Sequence, residues 1–383
     1  MKTLKQLTLP IAIALLFLIG SAFTVGKHYN PPKKKKYIVI GYVSGSNKGL
    51  IDTTLVDPNK LSIINYAFVN VQNNRATLAN RSKDSANFSY LISLKKRNPE
   101  LKVIISIGGW GGSHNFSDAV LTDTARNAFA TSAADIVRQY NLDGVDIDWE
   151  YPNDIGAGNV FRPEDKQNYT LMFKALRSQL TKVQRATGRK MYLTTAVGGF
   201  KRFLKNTEMG KAQKYLDYVS LMSYDYFQDS LGIVVHNTNL YPSKKYRNRD
   251  DAAQAATVFE EAGVPASKLL VGVAFYGRSA RVLDTTQNGL GMKRAEHMPG
   301  GGFTFIKDSL TNRNGFIYYR DHDAMAPYLF NPSTMQFITY DDEWSVQNKC
   351  QYVKDHGLAG IMFWEYIDDR KEYLLKEINQ DLK

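Results

Sequence analysis

The sequence predicts an α/β protein folded as a closed (β/α)8 TIM barrel, with a small α+β insertion between its seventh and eighth strands. Short runs of apolar, β-branched residues alternate with helical patterns along nearly the whole chain, and we identify eight such runs. Alternation of this kind is typical of a parallel sheet, and eight strands favour closure into a barrel. The interval 279–337 breaks the alternation with a glycine cluster and aromatic-rich runs, which indicates the insertion.

The predicted elements follow one another in a regular order. Strands are expected at residues 37–43, 61–69, 102–108, 142–150, 191–197, 218–223, 269–275 and 358–364. Helical spacing of apolar residues between them predicts helices that include 123–140, 163–187, 250–262 and 342–356. Catalytic groups in such barrels lie at the carboxyl ends of the strands, so site residues are expected there.

The first residues are predicted to direct export rather than to join the fold. Lys2 and Lys5 precede an apolar run at 9–18 that is followed by small residues, the pattern of a signal peptide within 1–26. We therefore expect a secreted or periplasmic protein. An uncleaved membrane anchor is the alternative, because the apolar stretch continues past residue 22. A basic linker at 27–36 would then lead into a catalytic barrel at 37–383.

Composition narrows the classes of function. The chain has 383 residues, of which 43% are hydrophobic and 22% charged, as in soluble globular proteins. Its net charge is +12, but the first 36 residues contain seven lysines and no acid, which leaves +5 for the remainder. The sequence contains no concentrated basic stripe of the kind that predicts nucleic-acid binding. The single cysteine, Cys350, excludes an internal disulfide and is expected to be buried in a helix.

Residues 142–152 read LDGVDIDWEYP and form the most informative stretch of the chain. Asp146, Asp148 and Glu150 occupy every second position, with apolar residues between them. In a strand these acids share one face, with neighbouring acids about 6.6 Å apart. Repulsion and desolvation would keep at least one of them protonated near neutrality, so the strand offers both an acid and a base.

A calcium-binding loop and an acidic face in solvent are two other interpretations of this stretch. A calcium loop requires glycine at its sixth position, where counting from Asp146 gives Tyr151. A solvated strand would not carry Val, Ile and Trp so regularly on its other face. No His cluster or Cys pair accompanies the acids, so we expect no metal and no cofactor.

Aromatic and polar residues recur at the predicted carboxyl ends of the other strands. Aromatic faces stack on the apolar faces of sugar rings, and carboxylates accept hydrogen bonds from hydroxyl groups. These residues therefore favour a carbohydrate site, although packing in the barrel core is an alternative for Tyr42 and Phe68. The full set is Tyr42, Phe68, Gly109, Trp110, Tyr224, Asp225, Tyr276, Arg278 and Trp364.

Five short motifs lie at the predicted strand ends: SIGG at 106–109, DGVDIDWE at 143–150, MSYD at 222–225, YGR at 276–278 and GIMFWE at 360–365. Through these motifs the chain resembles the glycoside hydrolase family 18 chitinases from about residue 37 to about residue 373. The insertion resembles the α+β module of a subgroup often associated with exo-acting, processive chitinases. The resemblance implies hydrolysis of β-1,4 bonds in chitin and chitooligosaccharides without a cofactor.

The resemblance also implies roles for the site residues. Glu150 would be the general acid, and the substrate's own N-acetyl oxygen would be the nucleophile in a retaining, substrate-assisted reaction. Asp148 would orient the acetamido group, and Asp146 would hold the second proton of the acidic cluster. Tyr224 would hydrogen-bond the acetamido carbonyl, and Trp364 would form the floor beneath the sugar. The groove would also include Asp225, Tyr276, Arg278, Trp110, Tyr151, Gly109, Phe68 and Tyr42.

Related functions on the same fold remain open at this point. A chitin-binding lectin would typically lack the acid at the Glu150 position, which is intact here. An endo-β-N-acetylglucosaminidase or a peptidoglycan hydrolase needs the same N-acetyl group, and only the predicted groove wall built by the insertion favours chitin. We expect a monomer that binds chitin or chitooligosaccharides, and contact with a membrane only if the N-terminal segment stays attached.

Overall fold

A computed structural model of the protein describes residues 36–45, 48–227, 231–247 and 250–383. The proposed signal peptide or anchor at 1–26 lies outside these ranges, as does the linker at 27–36 except for Lys36. Strands of the described part are β1 (Ile38–Ser44), β2 (Ile63–Gln72), β3 (Arg75–Thr77), β4 (Lys102–Gly108), β5 (Gly144–Asp148), β6 (Tyr192–Gly198), β7 (Tyr218–Met222), β8 (Leu269–Ala274), β9 (Arg278–Val282), β10 (Arg294–Met298), β11 (Ile317–Asp321), β12 (Ala326–Asn331), β13 (Gln336–Thr339) and β14 (Gly360–Trp364).

Within the described ranges, eight parallel strands close into a barrel, which confirms the predicted fold class. The order is β1, β14, β8, β7, β6, β5, β4 and β2, and the pairing of β1 with β2 closes the ring. Strand β3 is a short antiparallel extension on β2. Each predicted barrel strand overlaps an observed one, and the ends differ by a few residues at most.

Helices surround the barrel, and local sequence explains where several of them begin and end. Thr122 begins one helix by accepting from the Ala125 N–H, Asp342 and Ser345 form a capping box on another, and Gly188 ends a third in a left-handed conformation. The α-helices of the described part are α1 (Arg81–Ser93), α2 (Phe116–Ala119), α3 (Asp123–Gln139), α4 (Asp165–Thr187), α5 (Lys201–Lys205), α6 (Met209–Ala212), α7 (Ala252–Glu261), α8 (Phe303–Phe305), α9 (Glu343–Asp355) and α10 (Tyr373–Asp381).

Alternation along β5 divides the core into two parts. Val145 and Ile147 are fully buried between the strands and the surrounding helices, and Trp149 stacks on Phe116 at 5.1 Å. Residues of the opposite parity point into the barrel, as the period of a strand requires. Cys350 is buried in α9, as the sequence predicted. Among the described residues we find no helix with the length and apolar character needed to cross a membrane.

The insertion lies between the seventh and eighth barrel strands, β8 and β14, as predicted. It is an antiparallel sheet in the order β10, β9, β13, β12, β11. The glycine cluster joins this sheet to the end of β8, where Gly277 N–H donates to the Gly301 carbonyl at 2.9 Å. A side chain on Gly300 would place its Cβ 1.7 Å from the Gly277 carbonyl oxygen. The chain can approach β8 this closely only because Gly300 has no side chain.

We therefore predict that Gly300→Ala destabilises the protein by about 1–3 kcal/mol or more, because the new methyl group forces the backbone apart. Urea denaturation followed by fluorescence measures the change. Gly111→Ala is the control, since a Cβ there would meet no atom within 4 Å. Equal unfolding midpoints for the two variants would contradict the prediction.

Candidate active site

The acidic stretch lies at the carboxyl end of β5, inside the mouth of the barrel. Asp146 and Asp148 belong to the strand, and Glu150 follows just beyond its end. Asp146 has no exposed surface and Asp148 is 4% exposed. The alternative of an acidic face in solvent is therefore wrong. Burial makes ionisation of each carboxyl costly, so the three acids are not all ionised at the same time.

Asp146 accepts hydrogen bonds from side chains of three other barrel strands. The Tyr42 hydroxyl of β1 and the Ser106 hydroxyl of β4 donate to Oδ2, each at 2.8 Å, and the Thr194 hydroxyl of β6 donates to Oδ1 at 2.5 Å. Burial raises the pKa of Asp146 although these three donors oppose the shift. Asp146 is thereby fixed at the centre of the barrel mouth.

Asp148 follows Asp146 on the same face of the strand, and its carboxyl group has fewer hydrogen bonds than that of Asp146. Burial, followed by the charges of Glu150 and Asp146, raises the pKa of Asp148 well above its ordinary value. Its Oδ1 atom is buried and has no hydrogen-bond partner among the described residues. A buried, unpaired carboxyl oxygen is costly in a folded protein, so this atom is suited to receive a donor from a bound molecule.

Glu150 has the environment of a carboxylic acid that stays protonated near neutrality. Burial raises its pKa to about 7; a hydrogen bond from the Tyr151 hydroxyl opposes the shift, and the charge of Asp225 adds to it. The Glu150 N–H donates to Ser113 Oγ at 2.9 Å, which holds the backbone at this point. A carboxyl with a pKa near the working pH can both give and take a proton.

An aromatic floor lies beside the acids. The indole ring of Trp364 stacks on Phe68 with ring centroids 5.4 Å apart and planes 14° apart, and the Tyr42 ring lies 5.5 Å from it. A Cβ on Gly109 would come within 2.5 Å of the Phe68 ring, so glycine is needed where the loop crosses that ring. Phe68 and Tyr42 thus support Trp364 from below, while Trp364 itself is only partly buried.

A polar group follows the ends of β7 and β8, and β8 is the neighbour of β14 in the barrel. Asp225 accepts from the Tyr276 hydroxyl at 2.8 Å and pairs with the Arg278 guanidinium at 2.6 Å. The Asp225 and Arg278 side chains are each about half exposed, so this pair faces the groove. The Tyr224 hydroxyl lies 3.7 Å from the sulfur of Met362, a weak acceptor, and its ring lies 6.2 Å from that of Tyr276.

Comparison with known protein families identifies the family of the chain. Residues 38–369 match the model of the glycosyl hydrolases family 18. The chain belongs to family 18. The resemblance inferred from the sequence motifs is therefore confirmed.

Similar proteins agree with this assignment. Chitinase A1 of Niallia circulans is 35% identical over 90% of this chain, which spans 58% of that relative's length. Mouse chitotriosidase-1 is 31% identical over 82% of this chain and 69% of its own. A solved family 18 N-acetylglucosaminidase of Paenibacillus barengoltzii superposes with a TM-score of 0.84 at 38% identity, over 90% of this chain and 99% of its own.

Two other predicted residues of this family 18 site, Trp110 and Tyr151, contact each other. Trp110 is 56% exposed, and its ring lies 6.4 Å from Tyr151. Tyr151 packs edge-to-face on Phe200 at 5.5 Å, and the sequence analysis did not single out Phe200. All the site residues predicted from the sequence lie at the carboxyl ends of barrel strands or in the segments that follow them. In the described part of the chain, no group of three or more His, Cys, Asp or Glu side chains could hold a metal ion.

Sequence reasoning missed the hydroxyl groups that position the acids of this family 18 barrel. Ser106 was noted only as part of a motif, and neither Thr194 nor Ser113 was identified. A signal for Thr194 was present, because it is a polar residue at an inward position of a fully buried part of the strand. Ser113 lies in a loop and left no comparable periodic signal.

The raised pKa of Glu150 predicts a specific dependence of stability on pH. Because its pKa rises on folding from an ordinary 4.5 to about 7, its contribution to stability is complete below pH 4.5 and is lost as the pH rises to about 7. The corresponding free energy is about 3 kcal/mol. The free energy of unfolding should therefore fall over this window relative to Glu150→Gln, which cannot titrate there.

Urea titrations of both proteins at pH 4 to 8 measure this difference. Glu100→Gln, which removes an exposed carboxyl outside the site, is the control. A difference between wild type and Glu150→Gln that stays constant with pH would contradict the assigned pKa.

Proposed function

We propose that this family 18 protein is a chitinase that hydrolyses β-1,4 bonds between N-acetylglucosamine units by a retaining, substrate-assisted mechanism. The observation that carries the proposal is the pairing of Glu150, whose pKa is about 7, with Asp148, whose buried Oδ1 has no partner among the described residues. One group can deliver a proton, and the other can accept the N–H of an acetamido group.

In the first step Glu150 donates its proton to the glycosidic oxygen as the bond from that oxygen to the anomeric carbon breaks. The acetamido carbonyl oxygen of the same sugar attacks the anomeric carbon, and a cyclic oxazolinium ion forms. Asp148 accepts the acetamido N–H and offsets the positive charge that develops on the ring. The Tyr224 hydroxyl, whose one hydrogen bond among the described residues is to the Met362 sulfur, donates to the acetamido oxygen and orients it for attack.

In the second step the Glu150 carboxylate removes a proton from water, which attacks the anomeric carbon and opens the oxazolinium ring. Two successive displacements at one carbon retain the β configuration. Asp146 shares the negative charge of the cluster with Asp148, because its three hydroxyl donors allow it to carry charge when Asp148 is protonated.

The aromatic and polar residues around the acids would bind the sugar chain. Trp364 would stack beneath the sugar that reacts, and Trp110 would stack on a sugar on the other side of the cleaved bond. Asp225 and Arg278 would bind sugar hydroxyls across the groove, with Tyr276 fixing the Asp225 carboxylate. Tyr42, Phe68 and Gly109 would act from behind by holding the Trp364 ring in place.

Chitin is the substrate class we favour over N-glycan cores and peptidoglycan, because the relatives include proteins named as chitinases. The similarity to an N-acetylglucosaminidase favours a second candidate, release of single N-acetylglucosamine units from chain ends. Mass spectrometry of products from N-acetylchitohexaose distinguishes the two. Early dimers, trimers and tetramers indicate internal cleavage, and early monosaccharide together with N-acetylchitopentaose indicates release from an end. We further propose that the protein is exported, since Lys2, Lys5 and the apolar run at 9–18 form a signal pattern.

We predict that Glu150→Gln lowers kcat on unactivated chitooligosaccharides by about 10²- to 10⁴-fold, because the amide cannot deliver a proton to the leaving oxygen. Binding of N-acetylchitotetraose, measured by calorimetry, should change little, since the amide keeps the shape of the acid. Near-native turnover by this variant would contradict the assignment of Glu150.

Substrate assistance predicts a requirement for the N-acetyl group at the cleaved sugar. Partly deacetylated chitosan oligomers should be cut only after N-acetylated units, and NMR of fresh products should show the β-anomer first. A thiazoline analogue of the cyclic intermediate should bind more tightly than the product sugar by 10²-fold or more. Cleavage after glucosamine at a comparable rate, or an initial α-anomer, would contradict the mechanism.

A further inference from the structure

A buried ion pair outside the acidic cluster adjoins the segment that carries Tyr224. Lys349 of α9 and Asp341, which follows β13, have no exposed surface. The Lys349 ammonium lies 2.7 Å from Asp341 Oδ2 and 2.6 Å from the Thr238 hydroxyl. Two charges without access to water are costly unless each is fully hydrogen-bonded.

Two other hydrogen bonds of Asp341 tie the pair to the barrel and to α9. Its Oδ2 atom accepts from the Ala274 N–H at the end of β8 at 3.1 Å, and its Oδ1 atom accepts from the Ser345 hydroxyl at 2.7 Å. The ion pair is thus held rigidly between a barrel strand and the first turn of a barrel helix.

Thr238 links the ion pair to the segment before Tyr224 by hydrogen bonds. The Lys349 ammonium donates to the Thr238 oxygen, and the single hydroxyl proton of Thr238 has two acceptors within reach, the Ser223 carbonyl at 2.9 Å and Asp341 Oδ2 at 3.1 Å. Because Asp341 Oδ2 already accepts from Lys349 and from the Ala274 N–H, the closer Ser223 carbonyl is the acceptor we assign to this proton. The Ser223 hydroxyl in turn accepts from the Gly272 N–H of β8 at 2.8 Å. The residue immediately before Tyr224 is therefore held at both its carbonyl and its side chain.

Asn237, the neighbour of Thr238, holds the residues immediately after Tyr224. Its side-chain oxygen accepts from the Asp225 N–H and its carbonyl from the Tyr226 N–H, each at 3.1 Å. Its own N–H donates to the Thr339 hydroxyl at the end of β13, at 3.0 Å. Asp225 needs such support, since its φ of +59° is unfavourable for a residue with a side chain.

We propose that Lys349 and Thr238 are positioning residues for catalysis, which act through the backbone of 223–226 to aim the Tyr224 hydroxyl at the acetamido oxygen. The inference rests on the proposed function of Tyr224. Among the described residues the Tyr224 hydroxyl has one hydrogen bond, to the Met362 sulfur, which is a weak acceptor. The direction of the hydroxyl is therefore set by the packing of its ring and by the backbone that carries it. The insertion takes part as well, because β13 presents Thr339 to this network.

A graded series at Thr238 tests the proposal. Thr238→Ser keeps the hydroxyl, Thr238→Cys leaves a weak donor, and Thr238→Val keeps the shape without a donor. We expect kcat on N-acetylchitotetraose to fall in that order, to about ten- to a hundredfold below wild type for Thr238→Val, with near-native rates for Thr238→Ser. Ser220→Ala is the control, since the Ser220 hydroxyl is buried without a partner among the described residues.

Hydrogen exchange measured by mass spectrometry supplies a readout that does not depend on activity. Amide exchange in the 223–227 segment should rise at least tenfold in Thr238→Val and stay unchanged in β4 and β5. Unchanged exchange at 223–227 would overturn the proposal whether or not the protein hydrolyses chitin. A wild-type protein inactive on every chitooligosaccharide would instead overturn the proposed function.

A double-mutant cycle with Tyr224→Phe tests whether Thr238 acts through Tyr224. If it does, Thr238→Val should slow the Tyr224→Phe protein by less than threefold, because the hydroxyl being aimed is already gone. Multiplicative losses in the double variant would show that Thr238 affects the rate by another route and would overturn the proposal. A Tyr224→Phe protein with native kcat would overturn it too, since no hydroxyl would then need aiming.

Discussion

Burial of carboxyl groups without a nearby cation is the constraint on which the site depends. Three hydroxyl groups from three strands surround Asp146, and these neutral donors only partly offset the loss of water. No Lys or Arg of the described residues forms an ion pair with Asp146, Asp148 or Glu150. The cluster therefore lowers its free energy by keeping protons, and this makes it a source of acid near neutrality.

The same barrel buries another carboxyl in a different way. Asp341 lies in an ion pair with Lys349 and also accepts from the backbone N–H of Ala274 in β8. Such a pair suits a fixed structural part, because neither partner needs to change its charge during a reaction. Protonation suits the site itself, where Glu150 has to lose and regain a proton in each turnover. The ion pair thus serves the structure around the site, and the protonated acids serve the reaction.

Periodicity explains why so much of the fold was predictable. Barrel strands buried on both faces read as short apolar runs, and the helices between them repeat apolar residues at helical spacing, so both types of element can be located without tertiary information. The acids of β5 could be assigned to one face for the same reason, since the side-chain period of a strand is two. The insertion was identified because it interrupts the alternation of strands and helices. The order of its strands followed no sequence rule and was found only from the structure.

The sequence by itself determined the barrel, the acidic face of β5, the aromatic residues around it and membership of family 18. Only the tertiary structure decided which groups meet Asp146, because those contacts depend on strand register. Pairing of β4 with β5 sets Ser106 opposite Asp146, and pairing of β5 with β6 sets Thr194 opposite the same residue. A shift of one residue in either register would turn these hydroxyls to the other face. Residues far apart in the chain thus become partners through backbone hydrogen bonds between strands, which no local pattern in the sequence encodes.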